Sequence, residues 1–302
     1  MTGQAASILE ALRAEAGFPR ARLDGDYNAR ASVSPERFEH EMQRYRALSE
    51  PARAMPGMAL DLVYDEESGQ ALDIFGAAVP GERLRPVFLF IHGGYWRALS
   101  KADSAFMAPM LGRHGIATAV LDYRLAPAVS LAEIVREVRA AVAFLWRRGA
   151  NFGVDPQRIF VGGSSAGGHL TGAVLADGWQ EGLALPPQVV KGALPISGLF
   201  HLAPIARSFV QEWIRLSPQD VVALSPAEHL PSTGCPIAVA FASDEPDGFG
   251  RQSRAYHALW QAAGFASSLT QVRDRNHFDV VLDLADDDSV LSHILRNLIA
   301  GG

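Results

Sequence analysis

The sequence predicts an α/β fold, a mostly parallel sheet covered by helices on both faces, and three observations carry that expectation. From residue 86 onward, short apolar runs rich in Val, Ile and Phe alternate with longer amphipathic stretches, the pattern of strands joined by crossover helices. One run, Ile159-Phe160-Val161, leads straight into Gly162-Gly163-Ser164-Ser165-Ala166-Gly167-Gly168. Another, Pro86-Val87-Phe88-Leu89-Phe90-Ile91, ends in His92-Gly93-Gly94-Tyr95-Trp96.

Taken in order, residues 8–14 and 35–48 have helical, largely polar patterns, with Tyr27-Asn28-Ala29-Arg30 between them. Residues 1–58 form an N-terminal helical extension that wraps the main body or its entrance. Strands follow at 60–64 and 71–75, split by the turn-rich Asp65-Glu66-Glu67-Ser68-Gly69, so an antiparallel hairpin edges the sheet. Then come a strand at 87–91, a helix at 101–114, a strand at 116–121 and a long amphipathic helix at 131–146. The strand at 158–161 is followed by a helix at 166–176, strands at 189–196 and 236–242, a helix at 252–263, a strand at 267–272 and a terminal helix at 288–299. No repeat, low-complexity tract or interdomain linker interrupts this, which gives one domain over 1–302, with 200–230 as the candidate insertion or lid.

The glycine-rich turn carries chemistry. Gly163-Ser164-Ser165-Ala166-Gly167 is a G-x-S-x-G at a strand-to-helix junction, which lifts a serine above the sheet edge where a base can reach it. Phosphate-binding alternatives are not matched: neither G-x-G-x-x-G nor G-x-x-x-x-G-K-[ST] is present. The glycines past His92 let backbone N–H groups approach a substrate carbonyl oxygen. Gly94 and Tyr95 are the preferred donors, joined by the N–H of Ala166 after the nucleophile. Each such donor supplies roughly 3 kcal/mol of transition-state stabilisation.

A serine needs a base, and where a nucleophile elbow is used the chain order is serine, acid, histidine. His277, in Arg275-Asn276-His277-Phe278-Asp279, follows the last strand and precedes the terminal helix, so a loop can bring its imidazole over the elbow. His293 and His257 lie inside helical patterns, His169 packs within the helix after the elbow, and His92 braces the glycine loop. His40, His114, His201 and His229 show no metal-ligand spacing, and no metal or other cofactor is expected. The acid belongs after the strand at 236–242, where Asp244, Glu245 and Asp247 compete to orient the imidazole and stabilise its charged form.

Composition narrows the partners. With 27 basic against 33 acidic residues and no long run of either sign, there is no basic stripe to neutralise phosphates, and nucleic acid is excluded as a partner. Cys235 is the one cysteine, which rules out an intrachain disulfide and reads as a small buried thiol. The N-terminus lacks a basic segment followed by a long apolar stretch, and apolar runs stop short of the roughly 18 residues a membrane span requires, so a cytoplasmic location is expected with no membrane partner. A homodimer stays open.

His92-Gly93-Gly94-Tyr95-Trp96, the elbow through Gly168-His169-Leu170, Phe249-Gly250-Arg251-Gln252-Ser253 and Asn276-His277-Phe278 together resemble the arylformamidase (kynurenine formamidase) branch of the α/β-hydrolases, as does Tyr27-Asn28-Ala29-Arg30. The resemblance spans most of the chain. Lipase-like relatives usually carry another glycine where Tyr95 stands. In this branch the triad acid stands four residues before the Phe of F-x-R-Q-S, which implies Glu245 ahead of Asp244 and Asp247. One departure stands out: the branch places an acidic residue where His201 lies. The implied activity is hydrolysis of a small amide, N-formylkynurenine, through an acyl-enzyme on Ser165 with His277 and Glu245. Trp96 and Tyr95 either narrow the acyl pocket towards formyl or acetyl groups, with Trp96 the candidate substrate contact, or pack as aromatics under the loop. A short-chain carboxylesterase is the alternative. A non-catalytic receptor on the same fold is disfavoured because nucleophile, base, acid and oxyanion donors are all present.

Overall fold

The computed structural model describes residues 3–302; Met1 and Thr2, at the head of the N-terminal extension, lie outside the described residues. Among the described residues eight strands form one sheet. They are β1 (Ala59–Asp65), β2 (Gln70–Phe75), β3 (Arg85–Ile91), β4 (Ala117–Leu121), β5 (Val154–Ser164), β6 (Val190–Ile196), β7 (Ile237–Asp244) and β8 (Ser267–Asn276). Their order is β1-β2-β4-β3-β5-β6-β7-β8. β2 runs antiparallel to both β1 and β4, and every other neighbouring pair is parallel.

The continuous apolar runs have a simple cause: both faces of the sheet are covered. Along β3, Val87, Leu89 and Ile91 point into one core, while Phe88 and Phe90 point into the other. Helices α1 (Gly3–Ala14), α2 (Arg20–Tyr27) and α3 (Pro35–Ser49) form the N-terminal extension. Further on lie α4 (Ala108–Arg113), α5 (Leu131–Arg148), α6 (Ala166–Leu175), the short α7 (Trp179–Gly182), α8 (Gln211–Ile214) and α9 (Pro218–Ala223), then α10 (Asp247–Ala262) and α11 (Val290–Ala300). The first core takes side chains from α1, α2, α5, α6 and α10, and the second from α3, α4 and α11.

Local chemistry starts and stops these helices. The Ser130 side chain accepts from the Glu133 N–H at the head of α5, Arg147 and Arg148 close its last turn, and Ile134, Val138, Ala141, Val142 and Leu145 form its buried stripe. The helix expected over 101–114 is shorter. Pro109 lies in the first turn of α4, where its missing N–H costs nothing, and only a 3₁₀ turn, Lys101–Asp103, precedes it.

The connections fix where a ligand can sit. After β3 the chain crosses to β4 on one side, and after β5 it crosses to β6 on the other. Two adjacent parallel strands whose loops leave in opposite directions open a crevice at their carboxyl ends. The glycine loop after β3 and the elbow after β5 line this crevice, with Ile91 paired to Gly163 at its floor.

Candidate active site

Ser165 sits between the end of β5 and the start of α6 with φ 60° and ψ −117°, a strained conformation for a residue with a side chain. Its own N–H donates to the Ile196 carbonyl at 2.9 Å, which ties the turn to β6. The helix can leave this close to β3 only because Gly167 is bare: a Cβ there would lie 2.0 Å from the Ile91 carbonyl oxygen.

The neighbouring loop is equally constrained. Gly94 has φ +89°, and a Cβ on it would lie 2.3 Å from the Ala98 carbonyl oxygen. Tyr95 and Trp96 follow at φ 50° and 58°. This left-handed run turns the backbone so that the N–H groups of Gly94 and Tyr95 meet no acceptor among the described residues, and the N–H of Ala166 meets none either. Unsatisfied donors beside a buried serine, Ser165 being 6% exposed, suit an oxygen that acquires negative charge. His92 braces the loop: its ring stacks on Tyr123 with centroids 4.1 Å apart, and Nδ1 donates to the Gly93 carbonyl at 3.0 Å. Burial lowers its pKa to about 4, so the ring is neutral.

His277 follows β8 in a turn closed by Asn276, whose side-chain oxygen accepts from the Phe278 N–H at 2.8 Å. Its Nδ1 donates to Glu245 Oε2 at 2.7 Å, and both side chains are almost fully buried. The other oxygen of Glu245 accepts from Ser197 Oγ and from the Ala242 N–H, each at 3.1 Å. Asp244 and Asp247 are exposed, and Asp244 accepts from Ser243 instead. The geometry therefore brings Glu245, of the three carboxylates, to the imidazole.

Ser165, His277, His92, Gly94 and Tyr95 line one cavity of about 220 Å³. Trp96 is a correction. Expected to narrow the acyl pocket, it is absent from this lining, is fully buried and packs edge-on against His169 with centroids 5.1 Å apart. Tyr95 and Trp96 both have positive φ, so it is packing against His169 of α6 that takes the Trp96 ring beneath the loop while Tyr95 stays at the cavity. The Tyr95 hydroxyl donates to the Tyr27 carbonyl.

Sequence reasoning missed most of the cavity wall. Arg30, Phe38, Met42 and Tyr45 come from the N-terminal extension, and Phe278 and Val281 from the loop beyond His277. Phe38, Met42 and Tyr45 recur at i, i+4 and i+7 on one face of α3, a spacing that marks a packing face without saying what it packs against, and Arg30 and Phe278 stand in stretches the resemblance drew on without a role attached. The stretch 200–230 supplies no lining residue; it meets the site through Trp213, whose indole N–H donates to the Tyr95 carbonyl at 3.1 Å.

His201 also belongs to tertiary structure. It is buried, its Nε2–H donates to Glu228 Oε1 at 2.8 Å, and its Nδ1 accepts from the Ala203 N–H at 3.2 Å, which defines a neutral ring. Glu228 also binds Arg13 of α1, and Gln252 bridges His201 to the Tyr27 hydroxyl, so His201 joins the network that docks the extension. Among the described residues no group of three His, Cys, Asp or Glu side chains is placed to hold a metal ion, and no helix is long and apolar enough to cross a membrane.

Comparison with known proteins agrees with this architecture. The BD-FAE family model matches residues 72–180, the span from β2 through the elbow helix. A Silicibacter protein assigned provisionally as a thioesterase superposes with a TM-score of 0.76 at 27% identity, over 91% of this chain and 98% of that one. A hyperthermophilic esterase from Pyrobaculum calidifontis gives 0.71 at 19% identity, over 87% and 92%. With its parallel sheet, crossover helices and elbow, the chain is an α/β-hydrolase, and it is a hydrolase in activity.

Two relatives place it further. The kynurenine formamidase of Salmo salar is 29% identical over 282 residues, 88% of this chain and 94% of that protein. That of Danio rerio is 29% identical over 256 residues, 83% and 85%. Within the α/β-hydrolases the chain is an arylformamidase-like protein.

Proposed function

We propose that the chain hydrolyses small aryl formamides, with N-formyl-L-kynurenine as the substrate, by a serine acyl-enzyme mechanism. The observation that carries this reading is the buried Glu245–His277 pair on the same cavity as Ser165 and the unsatisfied amides of the glycine loop. The two kynurenine formamidase relatives support the choice of substrate.

Ser165 Oγ attacks the formyl carbon and gives its proton to His277 Nε2, while Glu245 holds Nδ1–H and stabilises the imidazolium. The carbonyl oxygen becomes an oxyanion held by the N–H groups of Gly94, Tyr95 and Ala166. The C–N bond breaks, His277 protonates the leaving aryl amine, and a formyl ester remains on Ser165. Water then attacks that ester, with its proton passing to His277, and Ser165 recovers its proton as formate leaves. No metal or other cofactor enters this scheme. A cytoplasmic setting belongs to the same proposal.

Small activated esters fit the same chemistry, and the esterase neighbours favour carboxylesterase activity as the second reading. The two separate in one assay. Purified protein is given N-formyl-L-kynurenine and p-nitrophenyl acetate, with Ser165→Ala as control. Higher kcat/KM for the formamide, abolished by the substitution, supports the proposal, and ester turnover alone overturns it in favour of the carboxylesterase.

A further inference from the structure

The cavity differs in charge from the protein that surrounds it. The chain carries 33 acidic and 27 basic residues, yet no Asp or Glu lines the cavity and two arginines, Arg30 and Arg97, do. Arg37 and Arg46, on the α3 helix that lines the cavity, each hold a carboxylate within 3.0 Å. Among the described residues, Arg30 and Arg97 have no carboxylate within 4.0 Å. The exposed Glu36 feels the charge of Arg30 without pairing with it.

Both guanidiniums are held in place by aromatic faces. Arg30 lies 4.5 Å from the ring centroid of Phe38, and its Nη1 donates to the Val33 carbonyl at 3.3 Å. Arg97 lies 4.0 Å from the ring centroid of Trp213, itself anchored to the Tyr95 carbonyl. A guanidinium held over an aromatic ring still offers N–H groups to a carboxylate. Two exposed cations beside an apolar cavity without carboxylate partners suit a ligand that brings the counter-charge with it.

We propose that Arg30 and Arg97 recognise a carboxylate on the leaving group of the substrate, which makes the preferred substrates aryl amides or esters whose departing half is an anion. This deepens the proposed function and rests on its short acyl group. A formyl or acetyl group carries no carboxylate of its own, so the anion must sit on the other half. No acidic residue lines the cavity to receive an ammonium, so an amino group beside the carboxylate is not read by charge.

The test uses the full chain with 4-acetoxybenzoate and its methyl ester, which differ in the anion, alongside N-formyl-L-kynurenine. Wild type should favour the anionic ester in kcat/KM by about tenfold, the worth of one charge-assisted hydrogen bond. In the Arg30→Gln/Arg97→Gln double variant that ratio should fall towards one through a higher KM for the anion. The single variants apportion the effect, and Arg97→Lys, which keeps the charge but loses the paired N–H donors of the guanidinium, should fall between. About 0.5 M NaCl, where screening acts within roughly 4 Å, should narrow the wild-type ratio. A wild-type ratio near one, or a ratio untouched in a double variant whose circular dichroism and melting are native, overturns the proposal. Discrimination between the esters without turnover of N-formyl-L-kynurenine keeps the carboxylate site and rejects the formamidase; turnover of N-formyl-L-kynurenine with KM indifferent to both arginines does the reverse.

Discussion

The hydroxyl of Tyr45 donates to the carbonyl of Phe278 at 2.8 Å, joining α3 of the N-terminal extension to the residue that follows His277. Two further contacts reinforce the joint. Arg37 binds Asp279 at 2.8 Å, and Phe38 packs edge-on against Phe278 with centroids 5.0 Å apart. The extension therefore forms one wall of the cavity and also positions the loop that carries the imidazole. Tyr45→Phe removes the donor while keeping the ring, leaving the Phe278 carbonyl unsatisfied at a cost of about 1 kcal/mol. The expected outcome is a several-fold loss in kcat with a small fall in melting temperature, and unchanged kcat would show that the loop is held without α3.

Glu245 carries the heavier catalytic consequence. Glu245→Gln preserves shape but can place its NH2 against Nδ1 and favour the wrong tautomer, so kcat should fall on the order of 10³–10⁴ with KM little changed. Asp244→Asn, on an exposed side chain turned towards Ser243, should remain close to wild type. Steady-state kinetics of the two proteins side by side decides this, and an equal loss in both would remove Glu245 from its role.

Gly94→Ala tests the glycine loop. The new methyl would meet the Ala98 carbonyl oxygen at 2.3 Å in a backbone with φ +89°, so the loop must shift and its N–H groups with it. Loss of one aligned donor costs on the order of 10² in kcat. Thermal melting separates this from unfolding: a native midpoint with lost turnover is expected, and native turnover would place the oxyanion elsewhere.

Stability should depend on pH through two buried histidines. Burial lowers both His92 and His169 from 6.5 to about 4. Because the unfolded chain binds protons first, their contribution is complete above about pH 6.5 and is lost as pH falls towards 4. Each shift corresponds to roughly 3 kcal/mol. Urea denaturation across this window should show stability falling with acid. His169→Gln should reduce the slope by about one proton, and an unchanged slope would show that His169 does not titrate on unfolding.

The fold was legible because its signals are local. Apolar runs, the strand-to-helix glycines and the Ser165 turn each need only their sequence neighbours, and their alternation leaves few topologies for a parallel sheet. The 101–114 pattern is longer than the helix it contains, because Pro109 marks a start. Ser165 and His277 were readable because the elbow fixes one and chain order restricts the other.

Four carboxyl-terminal strand ends, those of β3, β5, β7 and β8, supply the candidate machinery, and what the sequence by itself determined was which residue types stand at those ends. The tertiary structure alone decided which of them meet. Three adjacent acids compete after β7, but the backbone exposes Asp244 and Asp247 and turns Glu245 inward to His277 and Ser197. Neighbouring aromatics divide likewise, Tyr95 to the cavity and Trp96 to the core. Arg30 and Tyr45 reach the site across more than a hundred residues of chain from Ser165, and the helical spacing of Phe38, Met42 and Tyr45 marks a packing face on α3 without saying what it packs against. Covalent neighbours set local conformation, but the direction in which a side chain finally points depends on what the rest of the chain packs against it.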